Sequence, residues 1–426
     1  MPSLASTPET KKAMRLNTVE GAFAVAAENL AAPYLNLFAL GLGATPSQIG
    51  MLAAFPNFLG NILQIPAGLL AEKMADKRIL PAVGGFLARI SWLALAFIPF
   101  LFPAENRVLA VIVLASLRVT AANIGVPAWT ALQAVLIPRS IRGRYYANRN
   151  VVLNICALLA TFAAGFLLRG GFPRNYQTIF GWAAVLGAAS TVLFLLIPFQ
   201  QEKREKAALR RPFFRRVKVF WESVKEHRDF ASYAKSSLIL NFGVYLASSL
   251  FVVHFIDTMG GAAGSWAVFV AVNLGTQIVI QRYWGRLADL FGQKSVMSIS
   301  GIGIVLIPLL WAVAPSVWFP IIIQIVNGIG WGGYNLAAFN LLLEITPDEN
   351  RSLYVGVYNT LMGLAISLSP LIGGFAAEAL GLRPVFIASG VLRALGLFIF
   401  HRTVSGTASG QITLSDLLAR KKTLGH

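Results

Sequence analysis

The chain has 426 residues, of which 56% are hydrophobic and only 13% charged, with a mean hydropathy of +0.66. A water-soluble domain carries roughly 25% charged residues, so composition alone excludes an ordinary soluble enzyme or scaffold. The formal net charge of +18 admits two readings, nucleic-acid binding or an asymmetric membrane topology, and where the charges fall decides between them.

Taken in chain order, the first twenty residues are polar and lack the apolar core of a cleavable signal. Apolar runs of about twenty residues, enough to span a hydrocarbon core of ~30 Å, then recur. They predict six spans at Gly21–Leu42, Pro46–Leu70, Leu80–Phe102, Val108–Ile137, Val151–Leu168 and Tyr176–Phe199. Six more are expected at Ala231–Phe255, Ser265–Gln281, Ser295–Val313, Val317–Ile345, Tyr354–Leu380 and Pro384–Phe400. The expected fold is therefore an all-α integral membrane protein of twelve transmembrane helices in two six-helix bundles. Residues 1–199 form the first bundle, 200–230 a linker, 231–402 the second bundle and 403–426 a tail. The single cysteine, Cys156, falls inside an apolar run and reads as a packing residue.

With alternate connections assigned to opposite sides, one side holds four basic residues, Arg107, Arg169, Arg174 and Arg383. Arg89, Arg118, Lys235 and Arg393 lie within spans, and the remaining 28 of the 36 Lys/Arg share the side of the termini. That partition predicts both termini in the cytoplasm and makes the basic surplus a matter of topology, with no nucleic-acid partner. In the linker, Phe213, Phe214, Val217, Phe220, Trp221 and Val224 recur at helical spacing among lysines and arginines. A basic amphipathic helix on anionic lipid is the expectation there.

Two phrases occur twice. Gly68-Leu-Leu-Ala-Glu72-Lys-Met-Ala-Asp76-Lys-Arg78 returns as Gly285-Arg-Leu-Ala-Asp289-Leu-Phe-Gly292-Gln-Lys294, at an offset of 217 residues. Pro138-Arg-Ser-Ile-Arg142-Gly-Arg-Tyr145 returns as Pro347-Asp-Glu-Asn-Arg351-Ser-Leu-Tyr354, at an offset of 209. Internal duplication of a membrane chain is the mark of a transporter. Six spans, a basic linker, six spans, and this loop between the second and third span of each half together resemble the major facilitator superfamily. The second copy matches that family's loop; the first has Glu72 for the usual aspartate and Ala75 for the second glycine. The resemblance implies alternating access, with Gly68, Glu72, Asp76, Arg78, Gly285, Asp289, Gly292 and Lys294 as a cytoplasmic gate. Glycines would allow the tight turns, and the charges would latch neighbouring helices.

Sorting the eighteen acids isolates one. Glu20 is expected in the cytoplasmic segment ahead of the first span, and the others fall in loops or near span ends. Glu28 alone lies roughly 10 Å deep in a span, given the 1.5 Å rise per residue. A carboxylate there needs a partner or a proton, and Arg118 and Arg89 are the candidate partners. The resemblance adds that a span-four arginine, the region of Arg118, serves coupling or substrate binding in many proton-coupled members. Aromatics and amides at mid-depth (Tyr34, Asn123, Trp129, Asn241, Asn327, Trp331, Tyr334 and Asn335) suit an organic solute.

Enzymatic readings fail on chemistry. No clustered carboxylates, no set of metal-ligating histidines and no phosphate-binding Gly-Lys-Ser/Thr loop appear, so neither metal nor cofactor is expected. The expected function is proton-coupled export of an amphiphilic or weakly anionic compound by a monomer in the cell membrane. The alternatives are a symporter or uniporter importing a nutrient, or a non-transporting sensor or lipid-handling protein of the same fold.

Overall fold

The computed structural model describes residues 8–74, 76, 78–137, 142–198, 227–346 and 351–405, and among them it is helical throughout, with no strand. The long helices of the first repeat are α1 (Pro8–Ala31), α2 (Pro46–Lys73), α3 (Ile79–Leu101), α4 (Arg107–Leu136), α5 (Arg142–Leu167) and α6 (Arg174–Leu195). Those of the second are α7 (Arg228–Ser248), α8 (Ala263–Phe291), α9 (Gln293–Ala312), α10 (Pro320–Ile345), α11 (Arg351–Leu380) and α12 (Leu382–Thr403). Among the described residues 10 stretches are long and apolar enough to cross a membrane, one in each of these helices except α2 and α10. The basic linker and the tail beyond Ser405 lie outside the described residues, as do 138–141 and 347–350 of the second repeated phrase.

Two compact units emerge. Unit 1 comprises Met1–Lys206, Ser248–Ala271 and Ile366–Leu380; unit 2 comprises Ala207–Ala247, Val272–Ala365 and Gly381–His426.

Local chemistry sets the helix ends. Thr45 caps α2 through a reciprocal box: its hydroxyl accepts from the Gln48 N–H at 3.4 Å, while Gln48 Oε1 accepts from the Thr45 N–H at 3.0 Å. Pro46 follows at the first helical position, where its missing N–H costs nothing. Of the glycines expected to turn the gate loops, only Gly292 has a positive φ, +81°, which lets the chain leave α8 and enter α9. Gly68 and Gly285 instead sit within α2 and α8: Gly68 already falls inside the expected span Pro46–Leu70, and α8 runs to Phe291, past the expected end at Gln281.

Within unit 1, α3 and α4 approach through glycines. A side chain at Gly125 would meet the Cα of Pro81 at 2.8 Å, and one at Gly84 would strike the Ala121 carbonyl. Unit 2 repeats the device between α9 and α10, where Gly303 faces the Cα of Gly330 at 3.3 Å. Small residues that let backbones close are how helices pack when lipid offers no hydrophobic contrast.

The tyrosine ending each copy of the second phrase ties the start of α5 or α11 to the first helix of its repeat. The Tyr145 hydroxyl accepts from Asn17 Nδ2 at 2.8 Å and donates to the Met14 carbonyl at 3.0 Å. Asn17 and Gln133 exchange amide hydrogen bonds at 2.8 and 3.0 Å, and Tyr146 donates to Gln133 at 3.2 Å. Tyr354 pairs with His227 Nδ1 at 2.9 Å and packs edge-on against Phe230. Asn17 is fully buried, so truncating it orphans the Gln133 amide. Tyr145→Phe is expected to lower stability by ~1 kcal/mol and Asn17→Ala by about 1–3 kcal/mol, read as an ordered fall in Tm in detergent.

Unit 2 has a counterpart of a different kind. Arg393 on α12 is 1% exposed and has no ion pair among the described residues. Its Nε donates to Ser389 Oγ at 3.1 Å, Nη1 to the Ile304 carbonyl at 2.9 Å and Nη2 to the Val244 carbonyl at 3.3 Å. One guanidinium thus links α12 to α9 and α7, using neutral acceptors that leave no trace in a survey of acids.

Candidate functional site

Four charged residues of unit 1 converge on one cavity of about 260 Å³, lined by Glu20, Glu28, Arg89, Arg118, Trp92 and Trp129 among others. Four helices build it. Glu20 and Glu28 come from α1, Arg89 and Trp92 from α3, Arg118 and Trp129 from α4, and Phe194 from α6. Ala24, Ala27, Gly85, Ala88, Ala122 and Gly125 keep the walls thin enough to leave space between the helices.

Glu28 pairs with Arg118. Nη1 and Nη2 of the arginine donate to the two carboxylate oxygens at 3.0 and 3.1 Å, a fork-to-fork arrangement. The partners differ in exposure: the Arg118 side chain is 10% exposed and that of Glu28 50%. Arg118 has a second hold, since its guanidinium carbon lies 4.3 Å from the centre of the Trp92 ring. Trp92 is itself fixed, fully buried and stacked on Phe180 at 5.2 Å. The ring gives Arg118 a contact that does not depend on the charge of Glu28.

Arg89, the other candidate partner, turns elsewhere. Its Nη1 donates to Thr191 Oγ1 at 2.9 Å, and its Nη2 lies 3.6 Å from Glu20 Oε1. Glu20, expected ahead of the membrane, is in fact 5% exposed inside α1 and accepts from Ser190 Oγ on α6 at 2.8 Å. The misplacement has a simple cause. The polar face of α1 that carries Asn17 and Glu20 is buried against α4, α5 and α6, whereas a hydropathy window reads the same residues as solvent-facing.

The predicted solute-contacting residues divide. Trp129 lines the cavity; Tyr34 and Asn123 do not. Tyr34 is fully buried and donates to the Thr161 carbonyl of α5 at 3.2 Å, and Asn123 packs against Gly60 of α2. In unit 2, Asn241 donates back to the Ser237 carbonyl at 2.8 Å and Asn327 to Gln324 Oε1 at 2.9 Å. Trp331 meets Tyr334 edge-on at 5.7 Å, Tyr334 is buried and Asn335 is exposed.

Of the gate residues, the side chains of Glu72 and Asp289 lie outside the described residues. Asp76 and Arg78 bind each other: Asp76 accepts the Arg78 backbone N–H at 2.9 Å and its Nη2 at 2.8 Å, closing the turn into α3. The Arg78 side-chain hydrogen bonds hold the Asp76 carboxyl below its ordinary range. A depressed carboxylate stabilises the fold at any pH above its unfolded value, about 3.9, and loses that contribution only as pH falls through the lower folded value. The turn should thus be intact at pH 5, and Asp76→Asn should raise amide exchange at the start of α3 there. Equal exchange in the two proteins would show that the pair does not hold the turn.

The family model described as Major Facilitator Superfamily matches residues 21–280 and 237–416. The tetracycline resistance protein, class H, of Pasteurella multocida is 27% identical over 144 residues, 33% of this chain and 36% of that protein. The multidrug resistance protein MdtG of Dickeya zeae (strain Ech586) is 33% identical over 133 residues, 31% of this chain and 32% of that protein. The match thus spans about a third of the length of these curated relatives. Among solved structures, the D-xylose-proton symporter superposes with a TM-score of 0.70 at 13% identity, covering 95% of this chain and 99% of that one. The nucleoside transporter NupG gives 0.68 at 14%, covering 92% and 98%. At such identities these structures speak to fold, and the family match spans nearly the whole chain. The chain belongs to the Major Facilitator Superfamily of membrane transporters.

Proposed function

We propose that this protein is a proton-coupled exporter of an amphiphilic or weakly anionic organic compound. It would work as a monomer of twelve spans in the cell membrane, with both termini and the lipid-binding basic linker on the cytoplasmic side. The observation that carries the reading is the bidentate Glu28–Arg118 pair in the wall of a cavity that Trp92 and Trp129 also line. A carboxylate half open to its surroundings can take a proton, while the Trp92 stack keeps the released arginine in position. One proton then changes the cavity charge by one unit and frees the Arg118 guanidinium, a difference through which protonation can bias one arrangement of the helices over another. Export is supported by the names of the curated relatives, which are called resistance proteins for tetracycline or for several drugs.

Growth of an efflux-deficient bacterial host on a panel of toxic amphiphiles tests this directly, with wild type, Glu28→Gln and empty vector at matched expression. Resistance conferred by wild type alone is expected. Sensitisation by wild type would reverse the direction, and an unchanged panel would overturn export of such compounds.

A further inference from the structure

The cavity holds two carboxylates, and the proposed coupling uses only one. Glu20 lies eight residues before Glu28 on α1, about 12 Å along the helix axis at 1.5 Å per residue. Both side chains line the same cavity, as do Arg89 and Arg118. We infer that Glu20 is a second proton-accepting site of the transport cycle, so that protons pass between two stations on α1. This inference rests on the proton-coupled reading of Glu28.

The geometry separates Glu20 from a static structural pair. A permanent ion pair shut away from water is held by close, charge-assisted hydrogen bonds between its two partners. Arg89 stands 3.6 Å from Glu20, beyond hydrogen-bond reach, and spends its good donor on Thr191 Oγ1 at 2.9 Å. Glu20 keeps one short hydrogen bond among the described residues, from Ser190. That arrangement serves either charge state. When Glu20 is ionised, a small swing of the guanidinium away from Thr191 closes the ion pair. When Glu20 is protonated, Arg89 stays on Thr191 and Ser190 still has an acceptor. Thr191 is thus the alternative partner that lets Arg89 release the acid.

Two of the helices packed around Glu20 bring a charge to it, Arg89 from α3 and Arg149 from α5; Ser190 and Thr191 on α6 are neutral, and Arg118 of α4 lines the same cavity but is engaged by Glu28. Arg149 is 8% exposed, lies against Gly21 and reaches the Asn17 carbonyl at 3.4 Å. It joins the site to the Asn17–Gln133–Tyr145 network, while Glu20 and Glu28 share the cavity.

Infrared difference spectroscopy of the reconstituted full-length protein on a pH change reads protonated carboxyls directly. It would compare wild type, Glu20→Gln, Glu28→Gln and the double variant. Each single variant should lose about half of the titrating carboxyl signal and move the midpoint of the remainder, since the two sites are coupled; the double variant should lose it all. A Glu20→Gln spectrum identical to wild type, in amplitude and midpoint, would overturn the inference. If that variant does not fold, Ser190→Ala serves instead: it removes the hydroxyl donor, and an unshifted midpoint would be equally fatal. Failure of the underlying reading looks different. In that case wild-type transport would ignore a pH gradient altogether, whatever the carboxyl spectra show.

Discussion

Replacing Glu28 by glutamine is expected to reduce pH-gradient-driven transport to the level of empty liposomes while leaving the protein folded. The introduced amide is nearly isosteric with the protonated acid, so the variant imitates one end of the cycle permanently. Stability should hardly suffer. The lost pair is half exposed on the acid side, where such pairs contribute about 1 kcal/mol or less, and Arg118 keeps its stack on Trp92. Solute exchange down a concentration gradient, with no pH difference imposed, should survive, because it requires the cavity and not the proton. The check is a pair of assays on one preparation: pH-driven uptake into proteoliposomes and counterflow at uniform pH. Undiminished pH-driven transport in Glu28→Gln would remove the carboxylate from the coupling step.

On the proton-coupled reading, the same pair would tie the solute's charge to the direction of proton movement. A solute that offers an oxyanion to Arg118 competes with Glu28 for the guanidinium and leaves the freed carboxylate to a proton, so binding takes a proton up. A solute that engages Glu28 itself expels the proton, the relation that exchange requires, so proton-coupled export of a weakly anionic compound would have it bind away from Arg118. Linkage makes this reciprocal: a solute that binds with proton uptake binds more tightly as pH falls, and one that binds with proton release binds more tightly as pH rises. Proton uptake or release on mixing with a solute therefore classifies it before any transport is measured.

How much of this was legible in the chain depended on whether the partners were side chains or backbone. Glu28 and Arg118 could be singled out because charges are rare in apolar runs, and the cost of leaving either unpaired drives them together. Glu20 escaped because it sits on a polar helical face with Asn17, and a hydropathy window averages over faces. The burial of that face comes from Gln133, Tyr145 and Arg149, more than a hundred residues away. Arg393 was visible as a charge within a span but not as a link, since its acceptors include the carbonyls of Ile304 and Val244. Tyr34, Asn241 and Asn327 looked like solute contacts by residue type. Each spends its donor on a neighbouring carbonyl or amide, the commonest fate of polar groups in lipid-embedded helices.

Gly374→Val is expected to cut the transport rate by about tenfold or more, because the glycine marks a contact that has no room to give. In unit 1, α2 and α11 meet backbone to backbone. A side chain at Gly374 would stand 2.7 Å from the Pro46 carbonyl, 3.0 Å from Ser47 Cα and 3.1 Å from Gly50 Cα. From the other side, one at Gly50 would strike the Pro370 carbonyl. No flexible side chain lies in the way that could rotate aside. Overpacking of this kind costs roughly 1–3 kcal/mol, and each 1.4 kcal/mol shifts a two-state population about tenfold. Pro370, placed inside α11, lacks the N–H that would close a helical hydrogen bond one turn back. The penalty falls only on the arrangement in which α2 and α11 touch, so a carrier that must visit that arrangement once per cycle is held in its other state. Spin labels near Ser47 and Phe375 should report a longer distance in Gly374→Val than in wild type, together with the lower rate. Gly374→Ala, with a single methyl group, should fall between the two. A normal rate in Gly374→Val, with the label distance increased, would mean that transport proceeds without this contact.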